Sequence, residues 1–372
     1  MFSWVLATVL LVSPQTPPPS PALPPAPVAA IESEPPPRQQ VMALPPGLRA
    51  RLHDEVLAGH MSQVERTQRV VGFMFEPHGL GLVYEENATY TVAQTYEMRR
   101  GNCVAFTMMF LVLAREAGLK AWPQEIEETL SWHLRNNTLY RTNHVDAGVR
   151  AGGRTYRVDA SPFPVIARYP PQRISQQRLL AHYYNNHAIA AMERNQLPLA
   201  LRYMAIAIDL DPGYASTWSN AGVLHLRSGD ADTAERNYAT ALSLDPKNTG
   251  ALFNMVGVLQ RKGDLRHEAE FRKRLERVQR KDPFHHFLLA MDYERSGDYE
   301  SAIEHFRRAI RLLPREYRFH AALAAAYRQV GDTRRADKAL ARARALGGDA
   351  LRDADATTPG RPRTTPETPP SG

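Results

Sequence analysis

One cysteine, Cys103, is all the sulfur chemistry the chain has beyond its methionines. That excludes any disulfide within the chain and any zinc cluster built on thiolates. Long apolar runs are missing as well. The longest, Phe2 to Val12 (FSWVLATVLLV), is too short to cross a bilayer as a helix but has the length of a signal-peptide core. No basic arm or stripe is present. The formal charge is +7, yet Lys and Arg are interleaved with Asp and Glu almost throughout, which reads as solvated helix faces rather than a nucleic-acid surface. No nucleic-acid partner and no stable membrane span are therefore expected. Export is expected, to the periplasm or cell envelope, with residues 1–12 as signal peptide or short anchor core.

What is present is enough apolar residue, 43% of the chain, to build globular cores. Residues 13–46 are dominated by proline (PQTPPPSPALPPAP, EPPPR, LPPG) and read as an extended linker. Residues 351–372 have too little apolar surface to fold and are expected to be a disordered tail. Two domains are expected between them, at 47–175 and 181–350.

The second domain is marked by its period. Gly-Asp recurs at Gly229-Asp230, Gly263-Asp264, Gly297-Asp298 and Gly331-Asp332, each step being 34 residues. Small residues recur with it, at Gly222, Ala290 and Ala324 in a first helix and at Ala234, Ala302 and Ala336 in a second. Tyr238, Phe306 and Leu340 follow, and Pro246 and Pro314 close the unit. Small residues let two helices approach, and large ones fill the space between them. This pattern resembles the tetratricopeptide repeat. It predicts five units, starting near Ala181, Ala215, Thr249, Pro283 and Tyr317, stacked into an all-α solenoid that folds by its own nearest-neighbour contacts. The resemblance implies a protein or peptide partner on the concave face. Arg227, Arg261 and Arg295 are expected there with Phe253, Phe284 and Phe287, although a basic residue in a helix's last turn also simply complements the dipole.

The first domain carries the chemistry. In RRGNCVAFTMMFLVLAREAGLKA, Asn102 is a good helix N-cap and Gly118 a good stop, bracketing a helix that starts at Cys103. That helix is apolar nearly all round and so belongs inside a domain, with its cysteine end nearest to solvent. Downstream, NHVDAGVRAGGRTYRVDAS predicts a hairpin around Gly152-Gly153. Val145, Ala147 and Val149 then oppose Ala160, Val158 and Tyr156 on one apolar side. His144, Asp146 and Arg150 share the other side with Asp159, Arg157 and Thr155. In this register His144 and Asp159 are diagonal neighbours, and Asp146 competes with Asp159 as the carboxylate that orients the imidazole. Arg150 and Arg157 are the candidate partners for whichever carboxylate is left.

A Gly-x-Cys helix start, the helix ending LxREAGLKA, the NHV segment and a strand ending YRVDA together resemble the transglutaminase-like superfamily of papain-like folds, over residues 48 to 170. The resemblance implies an α+β papain-like domain, followed here by the all-α solenoid. It implies Cys103 as nucleophile, His144 as base and Asp159 as orienting carboxylate, with no cofactor and no metal. The chain departs from the family in having His-Val-Asp where an aromatic often follows the histidine, and Asp159-Ala160 where Asp-Pro is common. The expected function is cysteine-dependent acyl transfer or hydrolysis of a peptide or protein amide through a thioester on Cys103. The alternative is a catalytically inactive scaffold. An oxyanion donor is expected from the Cys103 backbone N–H, with Gln94 and Tyr96 as candidates for a second, and Trp132 and His133 as candidates to line the cleft.

Overall fold

The computed structural model describes residues 34–127, 132–135, 138–141, 144–161, 165–356 and 363–366, with 132–141 and 348–366 described as backbone only. The segment expected to be an export signal lies outside these residues. Among the described residues no helix is long and apolar enough to cross a membrane.

In chain order the elements are α1 (Arg38–Val41), α2 (Pro46–Glu55), α3 (Gln63–Phe75), β1 (Val83–Tyr84), α4 (Val92–Met98), β2 (Arg100–Gly101), α5 (Cys103–Glu116), β3 (Lys120–Ile126), β4 (Trp132–Arg135), β5 (Thr138–Arg141), β6 (His144–Ala151), β7 (Arg154–Asp159) and β8 (Gln172–Arg173). Then come helices α6 (Gln176–Glu193), α7 (Leu197–Leu210), α8 (Ala215–Arg227), α9 (Ala231–Leu244), α10 (Thr249–Lys262), α11 (Leu265–Gln279), α12 (Pro283–Ser296), α13 (Tyr299–Leu312), α14 (Tyr317–Gln329) and α15 (Thr333–Ala356), and a last strand, β9 (Arg363–Pro366).

Five strands form one sheet in the order β8-β3-β6-β7-β9, with every pairing antiparallel. Helix α5 lies against the apolar face of β6, where Val145, Ala147 and Val149 are buried. The β6–β7 register is the one the Gly-Gly loop dictates, with Ala147 opposite Val158 and Val149 opposite Tyr156. Both loop glycines have positive φ, 56° and 78°, as a primed turn requires. β3 runs along the other edge of β6, and the Trp122 indole covers Gly148 so closely that a Cβ there would fall 2.5 Å from the ring.

The solenoid consists of five antiparallel helix pairs, and four of the expected unit starts coincide with the first residues of α8, α10, α12 and α14. The Gly-Asp period has a local cause. Each glycine ends the first helix of a pair with φ between 74° and 86°. Each aspartate then caps the second helix, accepting from the backbone N–H of Thr233, His267, Ser301 or Arg335. In the first pair Asn195 takes the left-handed position, at φ 59°, and no side chain caps α7.

Four expectations from the sequence need adjustment. Residues 34–46 are packed rather than free: Val41 is fully buried and the Pro36 carbonyl accepts from the Tyr184 hydroxyl at 2.7 Å. The tail is helical to Ala356, and Arg363–Pro366 pairs with β7. Phe284 and Phe287 do not face the groove. They fill the space between α12 and its neighbours, Phe287 stacking on Phe319 at 4.6 Å and meeting Phe306 at 5.4 Å, because the small residues at Ala290, Ala302 and Ala324 leave room for them. Phe253 is exposed as expected.

The last adjustment concerns independence. One hydrophobic cluster runs without a break from Val41 and α5 through Leu179, Tyr183 and Tyr184 of α6 to Leu224 of α8. The boundary near 175–181 therefore separates elements but not cores. A buried polar knot joins the same parts. Glu125 on β3 is contacted by Arg178 at 3.3 Å and His182 at 3.2 Å from α6, and by the Tyr214 hydroxyl at 3.1 Å. Arg178 also binds Asp211 and lies over the Tyr214 ring, 4.0 Å from its centroid.

Candidate active site

Cys103 is the first residue of α5. Asn102 caps that helix, its side-chain oxygen accepting from the Val104 and Ala105 N–H groups at 3.1 Å each. The cap is itself held: the Asn102 amide donates to the Thr89 hydroxyl at 2.6 Å and to the Glu86 carbonyl at 3.2 Å. Asn186 of α6 reaches the same hydroxyl at 3.4 Å. The start of the cysteine helix is thus tied to a loop that the first solenoid helix also touches. The Cys103 thiol is half-buried.

His144 begins β6 and Asp159 ends β7, and the hairpin register brings them together. His144 Nε2 lies 2.8 Å from Asp159 Oδ1. This leaves Nδ1 as the ring nitrogen available to the neighbouring Cys103 thiol. Burial works against an imidazolium here, but the bonds to Asp159 and Cys103 and the negative charge of both groups outweigh it, and the His144 pKa is raised to about 10. Burial likewise opposes ionisation of Asp159. The His144 bond and charge, then Arg157 and the Ser161 N–H, reverse this and hold its pKa below the ordinary carboxylate value.

Asp146, the competing carboxylate, is bound by the Arg157 guanidinium through Nε and makes no hydrogen bond to His144. Arg157 takes the bridging role while Arg150 stays exposed. His144, Asp146 and Asp159 offer ligand atoms within 4.8 Å of one another, a spacing that could hold a cation. The Arg157 guanidinium already lies between the two carboxylates and would repel one.

Both suggested second donors have partners at their own helix. The Gln94 side-chain oxygen closes a capping box on Thr91, and the Tyr96 ring lies under the Arg99 guanidinium at 4.7 Å. Trp132 and His133 lie outside the described side chains. Tyr84, which sequence reasoning missed, is at the site instead. Its strand pairs with Gly101, two residues before Cys103, which sets its ring beside the start of α5. Burial, then the negative charge of Cys103, Glu86 and Asp159, raises its pKa. A two-residue strand leaves no periodicity from which to find it.

Family models for the tetratricopeptide repeat match residues 185–265 and 286–316. The C-terminal helices are tetratricopeptide repeats. Solved structures resemble the chain at low identity. One is titled "MamA RS-1 ArsTM double mutant", 18% identical, covering 49% of this chain and 99% of its own, with a TM-score of 0.27. Another is MamA residues 41 to end from Desulfovibrio magneticus RS-1, at 19%, 47% and 97%, with a TM-score of 0.26. A third is YrrB, described as a TPR protein with an unusual peptide-binding site, at 19%, 47% and 91%, with a TM-score of 0.26. No curated protein matches the chain. Tetratricopeptide proteins bind proteins or peptides, and the array here is a module of that kind.

Proposed function

We propose that residues 47–175 form a transglutaminase-like, papain-like thiol enzyme acting on a peptide or protein amide, with the tetratricopeptide array docking the substrate or a partner. The observation that carries this reading is the linear order thiol, imidazole, carboxylate, with His144 held 2.8 Å from Asp159 and its other nitrogen left for Cys103. Cys103 Sγ attacks the amide carbonyl carbon, and the oxyanion that forms needs the Cys103 N–H. Collapse of the tetrahedral intermediate breaks the C–N bond, and the departing amine takes the proton held on His144. Water then attacks the thioester, giving its proton to His144 and its oxygen to the acyl carbon, and the thiol is released. An amine in place of water gives transfer instead. Hydrolysis is the favoured outcome, because no described feature excludes water from a half-buried thiol.

The placement of Tyr84 beside Cys103, through its pairing with Gly101, favours a second reading, a catalytically inactive scaffold whose oxyanion site is crowded by that ring. Iodoacetamide separates the two, since the chain has one thiol to label. An imidazolium-paired nucleophile alkylates fast at neutral pH and keeps its reactivity into mildly acidic solution. A rate that rises only through the range of an ordinary thiol, around pH 8.5, would leave the scaffold reading standing.

A further inference from the structure

The carboxylate on which the proposed reaction depends is held from behind. Asp159 Oδ1 accepts from His144 and, at 3.0 Å, from the Ser161 backbone N–H, while Oδ2 accepts from Arg157 Nη2 at 2.7 Å. The same guanidinium donates through Nε to Asp146 Oδ2. Asp146 is almost wholly buried, and its Oδ1 has no hydrogen-bond partner among the described residues. The other ionisable groups at this place are Cys103 from α5 and Tyr84 and Glu86 beside β1.

We propose that Arg157 is a positioning residue of this site, anchored by the buried Asp146, which turns the Asp159 carboxylate onto His144 and keeps it ionised. This rests on the reading of Cys103 as nucleophile. Arg157 has no role on the substrate and acts through Asp159. Two carboxyl groups this close do not both stay ionised without a cation between them. Burial already pushes Asp146 up to about 6, with the Asp159 charge adding to it against the pull of Arg157. The planar fork matters because two different nitrogens serve two carboxylates, which a lysine ammonium cannot reproduce in the same geometry. With the guanidinium gone, Asp146 repels Asp159, the pair takes up a proton at higher pH, and a protonated Asp159 no longer supports the imidazolium.

The test is the rate of iodoacetamide labelling of Cys103 against pH in the full chain, comparing wild type, Arg157→Gln, and Arg157→Gln with Asp146→Asn. In the single variant the acidic limb moves up by about one pH unit, a tenfold loss of rate in mildly acidic solution, while the alkaline plateau is unchanged. Removing Asp146 as well removes the repulsion and moves the limb back toward wild type. Loss of folding would instead expose the thiol and change the plateau. A second readout does not depend on the thiol: the downfield proton resonance of the His144 Nε2–H bonded to Asp159 disappears in Arg157→Gln and returns in the double variant. Superimposable profiles for wild type and Arg157→Gln, or a double variant shifted as far as the single one, overturn the assignment. If wild-type Cys103 labels as an ordinary thiol, the nucleophile reading fails, and the His144 resonance still decides the role of Arg157.

Discussion

Asp159→Asn is expected to leave the chain folded and to slow acylation of Cys103 on the order of ten-thousandfold, as the same change of the orienting carboxylate does in a serine-protease triad. The neutral amide no longer supports the imidazolium and admits the wrong ring tautomer. The stability effect has a defined sign. With its pKa raised to about 10, His144 contributes stability that is fully present below its ordinary value near 6.5 and is lost as pH rises through about 10. The variant is therefore less stable than wild type at neutral pH, and the difference closes in strongly alkaline solution. Single-turnover acylation and thermal melts across pH measure the two effects separately. Equal acylation rates for variant and wild type would remove Asp159 from the site.

Glu125→Gln carries the largest expected loss of stability. The carboxylate is buried against Arg178, His182 and Tyr214, and removing one member of such a knot leaves the others desolvated and unmatched, typically at a cost of about 3 kcal/mol. Burial opposes ionisation of Glu125, but the neighbouring His182 and Arg178 win and lower its pKa to about 2. Its contribution is thus present above the ordinary carboxylate range and is lost as pH falls through about 2. A melting-temperature gap that is widest near neutral pH and narrows in acid is the expected result. A gap that does not change with pH would mean the knot acts by packing alone. Glu125 lies one residue before Ile126, which pairs with His144, so the same substitution loosens the strand beside the site.

How much of this was legible depends on where the information is stored. The solenoid was readable because each Gly-Asp pair does two local jobs, a left-handed helix end and an N-cap, and the period repeats them. The hairpin was readable because a two-glycine loop fixes register, and register alone puts His144 diagonal to Asp159. The choice between Arg150 and Arg157 was not readable. Both share the charged face, and only three-dimensional burial of Asp146 selects the nearer one. Tyr84 was hidden in a two-residue parallel pairing, and Phe284 and Phe287 looked exposed in a frame that fixes helix phase but not the depth of packing. Continuity of the core across the expected boundary was likewise invisible, because it depends on α6 meeting α5, a contact between segments that no short-range pattern links.

The central claim, that Cys103 forms a thioester with His144 assisting, is tested most directly by acylation with p-nitrophenyl acetate followed by mass spectrometry. The account predicts a burst of one equivalent of p-nitrophenol and a single acetyl group on the Cys103 peptide, released by neutral hydroxylamine. Both should be absent in Cys103→Ser and strongly slowed in His144→Ala. A burst that survives Cys103→Ser, or a wild-type chain that is folded yet gives no burst and no adduct, would contradict it.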